Sequence, residues 1–324
     1  MPDFKALPIA RYQFTFRVSE PIQTQLYAGS ALRGSFGHAL RQLACFTKAK
    51  TCVGCSLISQ CPYPLVFSPH EIPRSNELFT TVNQIPVPYM IEPPPMGART
   101  FQKDDQFSFN MVLMGKALSQ LALIIMSWRR ALLRGLGKYE GKGELVRVVL
   151  LTDGAEQVVY SEEAPVVVPH VPVMQLPQFS EKQDIHLQFL TPLRIQKDKK
   201  ILGAKDMSAQ LLLRNIIRRV SFVSQFHLGG AIDFNAEETN SLADLLRDER
   251  RLAWLDWSRF SSRQQQKMDL GGVTGHWLLR EVPRGLMPFI YLGQWLHVGK
   301  ETSFGLGHYK IVDQPWKPTD RESL

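Results

Sequence analysis

The chain has 324 residues, 44% hydrophobic and 21% charged, with 38 Lys and Arg against 30 Asp and Glu, giving +8 and a pI near 9.3. That is enough apolar sequence for one large or two ordinary domains with a sizeable core. The basic balance points to a polyanionic partner, nucleic acid first. No N-terminal stretch reads as a signal peptide, and the most apolar segment, residues 117–133, ends among Trp128, Arg129 and Arg130. It is too short and too charged to cross a bilayer, so the expectation is a cytoplasmic protein with no membrane partner.

In chain order, residues 12–18 alternate, with Phe14, Phe16 and Val18 on one face, as a half-buried strand does. Gly29 and Ser30 then open a helix over residues 31–44, whose Leu32, Phe36, Leu40 and Leu43 recur at helical spacing. The prolines between residues 86 and 95 exclude a long helix and predict extended backbone. Residues 107–113 alternate as a strand, 116–136 form a strongly apolar helix stopped by Gly135 and Gly137, and 144–151 form the strand closing this half.

Residues 161–181 hold four prolines among apolar residues and read as a packed interdomain linker. The second half repeats the plan: a strand over 185–195, a helix over 208–226 with Leu212, Ile216, Val220 and Val223 on one face, a charged amphipathic segment over 240–257, and glycine-rich segments from Gly271. The order is α+β with antiparallel sheets, and two such units predict two tandem ferredoxin-like modules of RRM-like type. The modules are expected at residues 1–160 and 182–324.

The four cysteines all lie in one segment, Cys45, Cys52, Cys55 and Cys61, spaced C-x6-C-x2-C-x5-C. Four thiolates suit a tetrahedral structural zinc with no open position, and Gly54 allows the tight turn of a CxxC knuckle. An iron–sulfur cluster uses the same ligand set and stands as the less favoured cofactor.

The stretch from His297 to Val312 carries Gly299, Gly305 and Gly307 with Lys300 and His308 interleaved, between an apolar run at 286–296 and a strand at 309–312. A glycine-rich loop between two strands, lined by cations, suits a phosphate chain. It is not a Walker loop, because the GxxxxGK[ST] spacing is absent. Residues 257–272 mix Arg259, Arg263 and Lys267 with Trp257 and Phe260, a pattern that supplies phosphate contacts and stacking platforms. The bland alternatives are a ligand-free hairpin and a solvated amphipathic segment.

Cutting RNA needs a group to take the 2′-hydroxyl proton, one to protonate the leaving 5′-oxygen, and a cation for the phosphorane. His38 is the favoured histidine, because Arg41 shares its helix face, Arg33 is near and Tyr27 lies just upstream. His70, His276, His297 and His308 are its rivals.

Several stretches together resemble one family. They are Ala31–Arg41, ALRGSFGHALR; the cysteine cluster ending in CPYPLVF at residues 61–67; FLTPLR at 189–194; SRFSSRQ at 258–264; and HVGK through FGLG at 297–307. The chain resembles the CRISPR precursor-RNA processing endoribonucleases of the repeat-associated (RAMP) superfamily, in a cysteine-bearing branch. The resemblance implies two ferredoxin-like modules, repeat-RNA binding, and metal-independent cleavage leaving a 2′,3′-cyclic phosphate. It implies no catalytic cofactor, and crRNA and CRISPR effector subunits as partners. Matched onto this chain, it gives His38 a role in proton transfer with Tyr27 assisting; the family's lysine partner falls on Lys48 or is replaced by Arg41, which would stabilise the phosphorane. Arg33, Arg194, Arg259, Arg263, Gly299, Lys300, Gly305, Gly307 and His308 would bind RNA. Two rival readings remain: a non-catalytic crRNA-binding subunit, and a metal-cluster protein of redox or DNA transactions.

Overall fold

A computed structural model describes residues 6–69, 85–152, 154–230, 232, 234–261 and 266–313. They fall into two compact units, one of residues 6–175 with 222–230, the other of residues 176–221 and 232–313.

The first unit runs β1 (Ile9–Glu20), β2 (Ile22–Thr24), α1 (Gly29–Ala44), α2 (Pro62–Val66), β3 (Tyr89–Glu92), β4 (Arg99–Phe101), β5 (Gln106–Met114), α3 (Leu121–Arg134), β6 (Lys142–Thr152) and β7 (Ala155–Ser161). Its main sheet has the order β3-β5-β1-β6-β7, antiparallel throughout. Without β7, that is the β-α-β-β-α-β order of a ferredoxin-like fold, the first strand central beside the third and fourth. The expected last strand at 144–151 is therefore not the edge, because β7 pairs outside it.

Register places Phe14 opposite Phe109 and Phe16 opposite Phe107. Helices α1 and α3 cover this aromatic row. Trp128 of α3 sits 4.5 Å from the Phe109 ring and stacks on Phe36 of α1 at 5.0 Å. These rings are buried, and each contributes roughly 1.5–3 kcal/mol through removal from water. The predicted single helix over 116–136 is a 3-10 turn at Gly115–Gln120 followed by α3, ended where Gly135 takes φ 116°. Residues 164–174 run along this unit: the Val168 N–H donates to Val159 O, and Leu7 and Met174 exchange backbone bonds at 2.9 Å.

The second unit runs β8 (Lys182–Leu193), β9 (Gln196–Lys197), β10 (Lys200–Ile201), the part of α4 (Ala209–His227) up to Ser221, α5 (Ala236–Asp244), β11 (Arg247–Leu255), β12 (Ser258–Ser261), β13 (Gln266–Asp269), β14 (Gly272–Pro283), α6 (Met287–Leu296) and β15 (Tyr309–Val312). Its sheet order β11-β14-β8-β15, again antiparallel, repeats the ferredoxin-like arrangement. The fold class is thus α+β with ferredoxin-like units.

One expectation is corrected. The apolar run before the glycine loop is a helix, α6, rather than a strand, so the loop joins a helix to β15. Almost every residue of α6 is buried, and a helix apolar on all sides has no periodicity to separate it from a buried strand. Pro288 at its first turn fits the helix start. Among the described residues, no helix is long and apolar enough to cross a membrane.

Candidate functional site

Helix α1 buries Leu32, Phe36, Ala39 and Leu40 and leaves Gly34, His38 and Gln42 exposed. The helix lies close at Gly37, where a Cβ would meet the Phe67 ring at 2.2 Å. Phe67, which stacks on Tyr63 at 5.5 Å, thereby presses the end of the cysteine segment against the turn that bears His38.

Gln42 is one turn beyond His38, and its Nε2 lies 2.9 Å from His38 Nε2. Its Oε1 accepts from Arg134 Nη1, at the last turn of α3. A guanidinium only donates, so the amide oxygen must face Arg134 and the amide NH2 must face His38. His38 Nε2 is then the acceptor, and the neutral imidazole carries its proton on Nδ1. This arrangement offers Nδ1–H as a donor to an anion. Gln42 and Arg134 were not singled out from sequence. The i+4 spacing of Gln42 was the available signal, and Arg134 had none, because it arrives from another helix.

The other two catalytic candidates are placed differently. Arg41 Nη2 donates to Ala49 O and Lys50 O at 2.5 and 2.7 Å, and its guanidinium lies 5.7 Å from the Tyr63 ring centre. It holds the cysteine loop. Tyr27 is 4% exposed, and burial, with Glu92 nearby, pushes its hydroxyl well above the ordinary range. It stays protonated and can act only as a hydrogen-bonding group. Arg33 is also turned inward, 4.5 Å over the Phe67 ring and beside Tyr89. Burial pushes the Tyr89 hydroxyl up to about 12, against the lowering pull of the Arg33 cation.

All four cysteines are half-buried, none in a disulfide, and line one cavity of about 200 Å3. The Cys55 N–H donates to Cys52 O at 3.1 Å, and Gly54 takes φ 78°, closing the knuckle turn. Thr47 Oγ1 lies 3.8 Å from Cys45 Sγ and 3.7 Å from Cys55 Sγ. Burial acts to raise the Cys45 thiol, but Thr47, the Lys48 amide and Arg41 outweigh it and set it below its usual range. Burial pushes the Cys61 thiol up. The donor chemistry and the knuckle fit zinc. The sulfurs are spread, however: no three of them lie within 4.8 Å of one another, against about 3.8 Å between ligands of a tetrahedral zinc with Zn–S near 2.3 Å.

In the second unit, two singled-out motifs meet. Thr191 Oγ1 donates to Gly305 O at 2.7 Å and accepts from the His308 N–H at 2.9 Å. Pro192 O accepts from the Gly307 N–H, and Arg194 O from the Lys300 N–H at 2.8 Å. A Cβ on Gly299 would lie 2.5 Å from Arg194 O, and one on Gly307 1.8 Å from Val298 O, with φ of 90° and 70°. The close approach these glycines permit is thus to the protein's own backbone. His308 stacks on the buried His297 at 4.5 Å, and Lys300 is exposed. Arg194 is half-buried and donates to Gly271 O; burial lowers its guanidinium below the usual value. Arg259 lies on β12, while Arg263 and His70 fall outside the described residues. His276, hydrogen-bonded to His186 at 3.1 Å, is lowered by burial and then by His186 and Arg251.

Residues 187–309 match the family described as CRISPR-associated endoribonuclease Cas6, and residues 7–172 match a family described as an N-terminal domain. A search of curated proteins finds no match. Among solved structures, a Cas6 product complex is similar over 94% of this chain and 99% of its own, at 17% identity and TM-score 0.55. Thermus thermophilus Cas6 is similar over 95% and 100%, at 15% identity and TM-score 0.50. A chain of a partial Cas6-RT-Cas1–Cas2 complex is matched over 94% of this chain and 46% of its own, at 16% identity and TM-score 0.54. The structural likenesses establish the shared fold, and the sequence match over residues 187–309 assigns that segment, most of the second unit, to the Cas6 family of CRISPR-associated endoribonucleases.

Proposed function

We propose that the chain binds CRISPR repeat RNA and cleaves it by attack of the 2′-hydroxyl on the adjacent phosphorus, leaving a 2′,3′-cyclic phosphate and a free 5′-hydroxyl. The observation that carries this reading is His38, an exposed imidazole on α1 oriented through Gln42 and Arg134. An internal nucleophile needs positioning, proton transfer and cationic support, all of which side chains supply without a catalytic metal. His38 would meet the reacting phosphate through Nδ1 and act in proton transfer. Tyr27 would assist as a protonated hydrogen-bonding group. Arg41 keeps its cationic influence near the site while Nη2 holds the loop, and exposed Lys48 of that loop would add a second cation. The N-terminal module, residues 1–160, would carry cleavage. The C-terminal module, 182–324, would grip the repeat through Lys300, His308, Arg194 and the strand bearing Arg259. The product strand would pass to other CRISPR subunits, as the Cas6-containing Cas1–Cas2 assembly suggests.

The same reading gives the cysteine segment a structural zinc. Cys45, Cys52, Cys55 and Cys61 would hold it, with the loop contracting around the ion. Zinc would supply a covalent clamp on the loop, not chemistry on RNA.

A second reading is favoured by a specific observation: Tyr27 is buried and Arg41 is engaged by two carbonyls, so two of three catalytic candidates are not displayed. In that case the chain holds crRNA without cutting. Incubation of repeat RNA with the protein in EDTA separates the two. Cleavage to a cyclic phosphate, lost in His38→Ala, supports the enzyme; tight binding with intact RNA supports the carrier.

A further inference from the structure

Residues 21–70 contain no Asp or Glu, yet carry Arg33, Arg41, Lys48 and Lys50. A run of fifty residues without an acid is unusual in a chain holding 30 of them, and it surrounds one conspicuous side chain. Phe46, two residues beyond the end of α1, is 89% exposed, the most exposed large apolar residue among those described. Leaving such a ring in water forfeits roughly 1.5–3 kcal/mol of burial.

The loop that presents it is built. Arg41 ties the carbonyls of Ala49 and Lys50 to α1, the Ala49 N–H donates to Thr47 Oγ1 at 3.4 Å, and Lys48 takes φ 51°, turning the chain back. Thr47, Lys48, Ala49 and Lys50 are all exposed. The ring is therefore displayed on an anchored turn with two lysines within four residues.

We propose that Phe46, flanked by Lys48 and Lys50, is a stacking platform for an unpaired base of single-stranded RNA, the lysines neutralising the adjoining phosphates. An aromatic face accepts any base, and cations beside it track the strand. A protein-docking surface fits less well, because lysine is depleted at protein interfaces and the surrounding run offers like charge only. Six residues of α1 separate His38 from the helix end, about 9 Å at the α-helical rise. A base on Phe46 thus belongs to the strand passing His38, a few nucleotides from the reacting phosphate. The inference rests on the RNA-processing reading and names a contact that the reading does not supply.

The test measures equilibrium binding of repeat RNA to the full chain and its Phe46→Ala, Phe46→Leu, Phe46→Tyr, Lys48→Ala and Lys50→Ala variants. Phe46 is exposed, so its variants should keep the wild-type melting temperature. Stacking predicts that Phe46→Ala and Phe46→Leu weaken binding about 5- to 150-fold, while Phe46→Tyr retains it. Each lysine variant lowers the salt slope by about one. Wild-type affinity in Phe46→Ala overturns the inference and leaves the RNA reading standing. Loss in Phe46→Ala with full affinity in Phe46→Leu also overturns it, since the contact is then merely apolar. Failure of the wild type to bind RNA overturns both.

Discussion

His38 and Arg134, on different helices, are joined through one amide: Arg134 donates to Gln42 Oε1, and Gln42 Nε2 lies 2.9 Å from His38 Nε2. The pairing works in one direction only, because protonating Nε2 would set two donors against each other. In the neutral state the proton therefore sits on Nδ1. We expect 15N NMR above the histidine titration range to show the Nδ1–H tautomer in wild type. In Gln42→Glu the carboxylate accepts instead, and the Nε2–H tautomer should dominate. Gln42→Leu should cut cleavage about two- to tenfold, the scale of one net hydrogen bond, with KM unchanged. An unaltered tautomer in Gln42→Glu would show that the amide does not govern the imidazole.

Much of the fold was legible because both halves carry amphipathic signals at strand and helix period. Phe14 and Phe16 alternate, and Leu212, Ile216 and Val220 repeat at helical spacing; each is buried as expected. Signals failed where burial is two-sided, as in α6, whose apolar residues surround the axis. The site was legible only in part. A residue type and a spacing locate His38, but do not show which way a long side chain turns. Arg33 lies over Phe67 and Arg41 reaches two backbone carbonyls. Those choices depend on Phe67, Tyr63 and the cysteine loop, which reach α1 only after folding.

The inward position of Arg33 has a measurable consequence. Its guanidinium covers Phe67 and lies beside Tyr89, so Arg33→Ala removes packing and strips a buried hydroxyl of its neighbouring cation. We expect a loss of stability of roughly 1–3 kcal/mol, read by chemical denaturation, with little change in RNA affinity. A pure phosphate contact would give the reverse: normal stability and a reduced salt slope.

Two glycine substitutions should act with opposite sign. Gly34 lies within α1, and a Cβ added there would meet nothing within 4 Å, so Gly34→Ala should stabilise by about 0.5–1 kcal/mol through helix propensity. Gly307 takes φ 70°, and its Cβ would sit 1.8 Å from Val298 O. Gly307→Ala should cost more than about 2 kcal/mol, from a left-handed conformation and a backbone clash together. Thermal melting of the two variants beside wild type separates them directly. Equal, small effects would mean that the loop relaxes freely around position 307.

Metal removal provides the last test, and it connects the cysteine loop to His38. Cys45 caps α1, its N–H donating to Arg41 O at 2.9 Å, while Arg41 holds the loop carbonyls. A zinc ion on the four cysteines would therefore brace the last turn of the helix that carries His38 and Gln42. Purified protein should contain a single zinc ion and be colourless; a brown protein with visible absorbance would mean an iron–sulfur cluster instead. Cys52→Ser should lose the ion. If the site is filled a hundred- to a thousandfold above its Kd, that loss removes roughly 3–4 kcal/mol. Because Cys45 and Arg41 pass the slack to α1, cleavage should fall further than RNA affinity does. Full activity and an unchanged melting temperature in metal-free protein would show that the loop stands without the ion.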